Sequence, residues 1–233
     1  MGDVGEASNS TKQLECHNVW IGHCPQKMTS DPINRRLGVL ISGRGSNLQA
    51  LIDAIGDGRL NATIAVVISN REDAAGLERA RVAGIEAICL PHRASPTRDD
   101  YDRALVRELR AHDVDLVCLA GFMRLVGSPL IDAFPNAILN IHPSLLPAFP
   151  GLDAQRQAIE HGAKVSGVTV HLVTAELDGG PIIVQRAVPV LPNDTAESLA
   201  ARILEEEHRA YPEAVQMILD GGWRVDGRRL VKV

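Results

Sequence analysis

The sequence predicts an α/β fold: a doubly wound, mostly parallel sheet with an antiparallel C-terminal extension. Three observations carry this. From residue 37 onward, short apolar runs alternate with segments of helical period. Those runs are apolar at nearly every position, as strands of a parallel sheet covered on both faces must be. After Pro150 the runs lengthen and are joined by a loop instead of a helix. At 233 residues and 45% hydrophobic, the chain is long enough for one sizeable core.

Residues 1–36 are polar and aperiodic, and predict a flexible N-terminal extension. Within them, Cys16-His17 and His23-Cys24 pair adjacent residues. Adjacent side chains diverge, and zinc sites use wider spacings, so no metal is predicted there. Residues 37–42 form the first apolar strand. Ser46 caps a helix carrying Leu48, Leu51, Ile52 and Ile55, which stops near Gly56 and Gly58. A strand over 63–69, a helix over 74–83 and a strand over 85–90 follow. Thr97 and Asp100 form a capping box for a helix carrying Tyr101, Leu105 and Leu109. Residues 114–120 and 137–141 are further strands. A helix over 154–161 leads to two long strands, 166–173 and 181–190. Asp194 and Glu197 box a long helix starting at Thr195, which Pro212 kinks or restarts. Residues 223–233 form a tail with a hairpin turn at Asp226-Gly227. The predicted domain covers 37–222.

The net charge is −5, with 24 basic and 29 acidic residues intermixed, so no basic run marks a nucleic-acid partner. No apolar stretch approaches the roughly 20 residues that span a bilayer, and no secretory signal pattern opens the chain. The four cysteines form no disulfide framework. Cys89 and Cys118 lie in strand-like runs and read as buried thiols, which suits a reducing cytoplasm. Small-molecule partners are expected, with a monomer and a homodimer both open.

Two segments carry candidate chemistry. Ser42-Gly43-Arg44-Gly45-Ser46-Asn47 joins the first strand to the first helix. Glycines allow a tight turn, and the free N–H groups of a helix start favour an anion. No lysine follows, as a Walker loop requires, and Leu48 replaces the third glycine of a dinucleotide fingerprint. The turn suits one terminal phosphate; a plain tight turn is the other reading. The second segment is Asn140-Ile141-His142-Pro143, at a strand's carboxyl end, where open α/β sheets bind ligands. Asn140 and His142 are two residues apart and share a face. Pro143 holds His142 extended. An amide and an imidazole side by side can both donate to one developing oxyanion. Asp178, in a glycine-rich loop, is either an ordinary turn residue or a carboxylate that favours the imidazolium form of His142.

Asn140-Ile-His142-Pro-Ser144-Leu-Leu-Pro147 and Leu177-Asp178-Gly179-Gly180-Pro181 resemble the two signatures of the folate-dependent formyltransferases. The opening 40–50, Ala120-Gly121-Phe122-Met123-Arg124 and Glu207-His208-Arg-Ala-Tyr211-Pro212 resemble the branch that formylates glycinamide ribonucleotide. The resemblance runs from about Leu37 to the end of the last long helix. It implies a formyltransferase-like fold, 10-formyltetrahydrofolate as co-substrate, glycinamide ribonucleotide as acceptor, a place in purine synthesis, and no metal. By resemblance, Asn140, His142 and Asp178 are catalytic. Gly45, Ser46 and Asn47 hold the acceptor phosphate, with Glu207 against its ribose or glycyl end. Arg98, Met123, Arg124, Leu125 and Val126 border the folate together with Asn140, and Thr174, Ala175, Glu176, Leu177 and Asp178 close over its pteridine. His171 either supports Asp178 or the substrate, or is structural.

Two features depart from the family pattern. Arg44 stands where some relatives carry a smaller polar residue, and it either adds charge to the site or points to solvent. Gly151-Leu-Asp153-Ala-Gln155 lacks the histidines some relatives carry there. Competing readings are a 10-formyltetrahydrofolate hydrolase, an initiator-tRNA formyltransferase and a non-catalytic phosphoribosyl-binding protein. The first two come with an extra domain before or after the catalytic one. The third leaves Asn140, His142 and Asp178 without a purpose.

Overall fold

The computed structural model describes residue 1 and residues 35–233. Cys16, His17, His23, Cys24 and nearly all of the predicted N-terminal extension lie outside the described residues. The first half alternates strand and helix: β1 (Arg36–Ile41), α1 (Ser46–Gly56), β2 (Thr63–Ser69), α2 (Ala75–Val82), β3 (Ala87–Cys89), α3 (Arg98–Ala111) and β4 (Leu116–Leu119). A 3-10 turn, His92–Ala94, precedes α3. Then come α4 (Ser128–Ala133), β5 (Ile138–His142), α5 (Ala154–Glu160), β6 (Val165–Leu172), β7 (Ile182–Pro189), α6 (Ala196–Asp220), β8 (Trp223–Asp226) and β9 (Arg229–Lys232).

The strands form one nine-stranded sheet in the order β3-β2-β1-β4-β5-β6-β7-β9-β8. β3 to β5 are parallel, and β6 and β7 run antiparallel to their predecessors. The period-2 alternation of side chains divides the core in two. Leu37, Val39 and Ile41 of β1 pack with α1, α2 and α6, while Leu40 packs with α3 and α4 on the other face. In β5, Leu139 and Ile141 join the first core and Ile138 the second. Asn140 and His142 therefore open on the α3/α4 face.

Several local expectations change. Ser46 is the first helical residue of α1, and the N-cap is Gly45 in the left-handed conformation, with no side-chain cap. The box at α6 pairs Thr195 with Ser198 instead of Asp194 with Glu197. Asp194 is occupied elsewhere, accepting from Leu191 N and from both terminal nitrogens of Arg202. At α3 the Thr97 hydroxyl accepts from Asp100 N but donates to the Asp100 carboxylate, so the box is not reciprocal. Helix α4 had no predicted counterpart. Cys89 is only half-buried, because β3 is the sheet edge, whereas Cys118 in central β4 is buried.

Helix α6 runs 25 residues without restarting at Pro212. A proline inside a helix costs about 3 kcal/mol. Tertiary packing offsets it here. Ala210, Tyr211, Ala214 and Val215 are all fully buried, and the Tyr211 hydroxyl donates to Leu119 O at 2.9 Å. The C-terminal hairpin turns through Gly227 and Arg228, one residue later than expected, because Asp226 already pairs with Arg229. It extends the sheet by pairing β9 with β7.

Candidate active site

Three of the loops at the carboxyl ends of the parallel strands frame the site: 42–45 after β1, 120–127 after β4 and 143–153 after β5. β1 and β5 are two strand spacings apart, roughly 10 Å across the sheet.

The glycine turn is set from behind by α2. Gly76 N–H donates to Gly43 O at 3.0 Å, and Arg79 Nε–H donates to Arg44 O at 2.9 Å. The two backbones touch: a Cβ on Gly45 would lie 2.6 Å from Gly76 Cα, and one on Gly76 would lie 2.5 Å from Ile41 Cδ1 and 3.1 Å from Gly45 Cα. No local sequence signal announced Gly76 or Arg79, because their role exists only once α2 docks on the turn. Gly76→Ala is expected to cost about 1–3 kcal/mol, the range for overpacking a filled site. Urea unfolding reads this, and an unchanged midpoint would mean that Ile41 simply swings aside.

Without a side-chain cap, the first-turn N–H groups of α1 stay available, and no acidic residue competes for them. Asn47 is buried at the same place. Its Nδ2 donates to Glu207 Oε2 at 2.7 Å, while its Oδ1 is buried with no partner among the described residues. Glu207 reaches the turn from α6. Burial pushes its carboxyl above the ordinary range, opposed by the Asn47 hydrogen bond and the charge of Arg44. The Arg44 side chain is exposed, and its charge is felt at Glu207.

A carboxyl raised on folding binds more protons in the folded state, so stability falls as pH rises from its unfolded value through its raised one. Glu207→Gln removes that penalty. It is expected to raise the melting temperature of the ligand-free protein at pH 8, with the gain vanishing near pH 4. An equal gain at both pH values would contradict this cause.

The polar cluster is assembled from β5, β6 and two loops. Asn140 stands opposite His171 in the β5–β6 register, and His142 opposite Thr169. Because β6 is antiparallel, its end lies beside the start of β5, and residues 173–181 return over the face carrying Asn140 and His142. The return is tight: a Cβ on Gly180 would collide with Leu172 O. It brings Asp178 Oδ2 to 3.5 Å from His142 Nδ1 and Asp178 Oδ1 to 3.8 Å from His171 Nε2. Gly151 N–H donates to Asp178 Oδ2 at 2.8 Å.

The other ring nitrogen of His142, Nε2, lies 2.9 Å from Phe149 O, so it carries a proton and donates. Phe149 and Asp178 both have positive φ, 53° and 50°, a conformation that bulky residues keep only when their surroundings enforce it. Phe149 O is held by His142, Ala148 O accepts from Ser144 Oγ, and the residues before them are clamped. Thr169 Oγ1 donates to Ser144 O and accepts from Leu146 N, and Gln185 Nε2 donates to Leu146 O.

Burial pushes the His171 imidazole below its ordinary range, against the pull of Leu172 O and Asp178. In its neutral form Nδ1–H donates to Leu172 O at 2.9 Å. Nε2 then accepts from Asn140 Nδ2 at 3.2 Å, which orients the Asn140 amide. The roles of Phe149 O, Gly151 N–H and Thr169 had no sequence signal, since two of them are backbone groups.

The remaining predicted residues lie around this cluster. Met123 and Leu125 are 71% and 57% exposed, and Leu177 is 55% exposed, an apolar set left open to solvent. Val126 packs against the second core. The Arg124 guanidinium lies 5.6 Å from the Tyr101 ring centroid, and its Nε is buried without a partner among the described residues. Arg98, at the start of α3, is exposed, while Thr174 is half-buried and Ala175 and Glu176 are exposed. Glu176 pairs with Arg228 of the C-terminal hairpin at 2.9 Å. Among the described residues, no group of three His, Cys, Asp or Glu side chains is arranged to hold a metal, and no helix is long and apolar enough to cross a membrane.

A doubly wound sheet whose strand ends carry an uncapped glycine turn and an Asn–His–Asp cluster has the makings of an acyl-transfer site, and a family model described as formyl transferase matches residues 35–215. The chain belongs to that family. It is 46% identical over 199 residues to the phosphoribosylglycinamide formyltransferase of Escherichia coli strain K12, covering 82% of this chain and 94% of that protein. It is 50% identical over 198 residues to the trifunctional purine biosynthetic protein adenosine-3 of Drosophila melanogaster, covering 84% of this chain but spanning only 15% of that protein's length. Among solved structures it resembles glycinamide ribonucleotide transformylase 1 from Symbiobacterium toebii, with a TM-score of 0.84 and 60% identity over 85% of this chain and 93% of that one.

Proposed function

We propose that this chain transfers the formyl group of 10-formyltetrahydrofolate to the glycyl amine of glycinamide ribonucleotide, as a cytoplasmic enzyme of purine synthesis with residues 37–222 as its catalytic unit. The products are formylglycinamide ribonucleotide and tetrahydrofolate. The observation that carries this reading is the convergence of Asn140, His142 and Asp178 on one face of β5, in a chain so similar to formyltransferases of that name.

The first-turn N–H groups at Gly45, Ser46 and Asn47 hold the acceptor phosphate. Asn47 Oδ1 and Glu207, both buried, take hydrogen bonds from its ribose or glycyl end; an unpartnered buried acceptor is costly until a ligand supplies the donor. Arg98, Met123, Arg124, Leu125 and Val126 form the wall beside the folate. Residues 174–178 cover its pteridine.

The reaction is direct acyl transfer. As the glycyl amine adds to the formyl carbon, negative charge develops on the formyl oxygen. The Asn140 N–H not engaged by His171, and a proton on His142, stabilise that charge. Nε2–H of His142 is held by Phe149 O at 2.9 Å, so the ring acts through Nδ1, which stands 3.5 Å from Asp178 Oδ2 and is left free to share its proton with the oxyanion. Asp178 faces the ring with its charge and helps carry the amine proton to the leaving folate nitrogen.

The test is a formyl-transfer assay on the purified chain with and without glycinamide ribonucleotide. Tetrahydrofolate release that requires the ribonucleotide supports the reading. Release of formate and tetrahydrofolate without it would replace it with the hydrolase.

A further inference from the structure

Ser42 opens the glycine turn, and by sequence it belongs with the phosphate-binding residues that follow. Its contacts lie elsewhere. The Ser42 hydroxyl donates to Asn70 Oδ1 at 2.6 Å and accepts from Met123 N–H at 2.8 Å. Its own N–H donates to Gly121 O at 3.1 Å. Ser42 and Asn70 are both buried, at 5% and 6% exposure. Asn70 follows β2, and its Nδ2 lies 3.3 Å from His92 Nδ1 in the 3-10 turn after β3. A belt of polar contacts thus crosses the ends of four adjacent strands, from β3 through β2 and β1 to β4.

The belt matters most at its β4 end. Met123 and Leu125 point largely to solvent and contribute little anchoring. Among the described residues, the bond to Ser42 is the hydrogen bond that holds the backbone between Met123 and Val126. The next tie is at Gly127, whose N–H donates to buried Asp102. Packing of Arg124 against Tyr101 and of Val126 on the second core holds the later part of the segment, and the Ser42 bond sets where its backbone begins.

We propose that Ser42 is a positioning residue for the folate-side wall, residues 123–126, and not for the acceptor turn in which it lies. The assignment rests on the function proposed above. One hydroxyl then sets the height of the folate wall against the strand end that also starts the phosphate turn. The two substrate sites share a fixed reference point. Alanine at this position takes the partner from Met123 N–H and leaves the buried Asn70 Oδ1 without its donor, so the wall shifts while the α1 N–H groups, held from α2, stay in place.

The experiment is calorimetric titration of the full chain with tetrahydrofolate and, separately, with glycinamide ribonucleotide. For Ser42→Ala, the Kd for tetrahydrofolate is expected to rise about tenfold, equivalent to ~1.4 kcal/mol. The Kd for the ribonucleotide should stay at its wild-type value. In the transfer assay, KM for 10-formyltetrahydrofolate should rise while kcat at saturation stays close to wild type. Unchanged tetrahydrofolate affinity would overturn the assignment, and so would an equal loss for both ligands, which marks general loosening. If Ser42→Ala does not fold, Ser42→Cys serves instead, because a thiol fills the same space but is a much weaker acceptor for Met123 N–H. There a selective loss of tetrahydrofolate affinity supports the assignment, and no loss overturns it. Wild-type protein without transfer activity sinks the proposed function itself. Wild-type activity with an unaltered Ser42→Ala sinks only the role of Ser42.

Discussion

Replacing His142 with alanine is expected to lower kcat by roughly 10²–10³-fold, the usual loss when one oxyanion donor is removed, while leaving the fold intact. The side chain is buried, and its contacts are few: Nε2–H to Phe149 O and Nδ1 towards Asp178. Losing the first orphans one carbonyl, a cost of about 1–3 kcal/mol, which a core of this size tolerates. In the proposed mechanism, the contact that matters for rate forms with an oxygen whose charge appears only during reaction. KM for both substrates should therefore change much less than kcat. Steady-state kinetics against each substrate, with thermal unfolding alongside, checks this. Turnover close to wild type in a folded variant would remove His142 from the mechanism.

Asp178→Asn carries the second large effect, an expected loss of about 10²-fold or more, within the range for general acid–base groups. The asparagine oxygen still accepts from Gly151 N–H, so the loop keeps its place. What disappears is the carboxylate facing His142 Nδ1, the group to which the proposed mechanism gives the amine proton. At 3.5 Å the His142–Asp178 contact is longer than a tight hydrogen bond. Such bonds shorten when substrate closes the site. Because the two residues act as a unit, the double variant His142→Ala with Asp178→Asn should be little slower than the worse single variant. Losses that multiply would show that the pair acts independently.

How much of this was legible in the chain differs from element to element. Strands β1, β2, β4 and β5 announced themselves as apolar runs, because a strand buried on both faces has no choice of composition. Asn140 and His142 were legible as a pair, since the strand period of two places them on one face wherever the strand lies. The helix starts were less legible. Ser46 carries the residue type of a cap, but Gly45 takes the position in a conformation that propensity alone does not reveal. Pro212 reads as a helix breaker, yet α6 passes through it, because burying Tyr211 and its neighbours outweighs one missing hydrogen bond.

The family resemblance named Asp178 and Glu207 as site residues. Only the folded chain explains how they get there. Asp178 reaches His142 because β6 turns antiparallel and Gly180 lets the following loop fold tightly back. Glu207 reaches Asn47 across 160 positions of chain because α6 packs on the face that also carries α1. The doubly wound class, the strand carrying the Asn–His pair and the turn suited to an anion could all be read from the chain, because local periodicity and backbone chemistry dictate them. Tertiary contacts were needed to show that α2 buttresses that turn, that Phe149 O and Asp178 bracket one imidazole, and that the Ser42 hydroxyl holds the backbone at Met123. The reason is physical: each is a contact between segments far apart in the chain, made by backbone groups or common side chains whose type does not encode their partner.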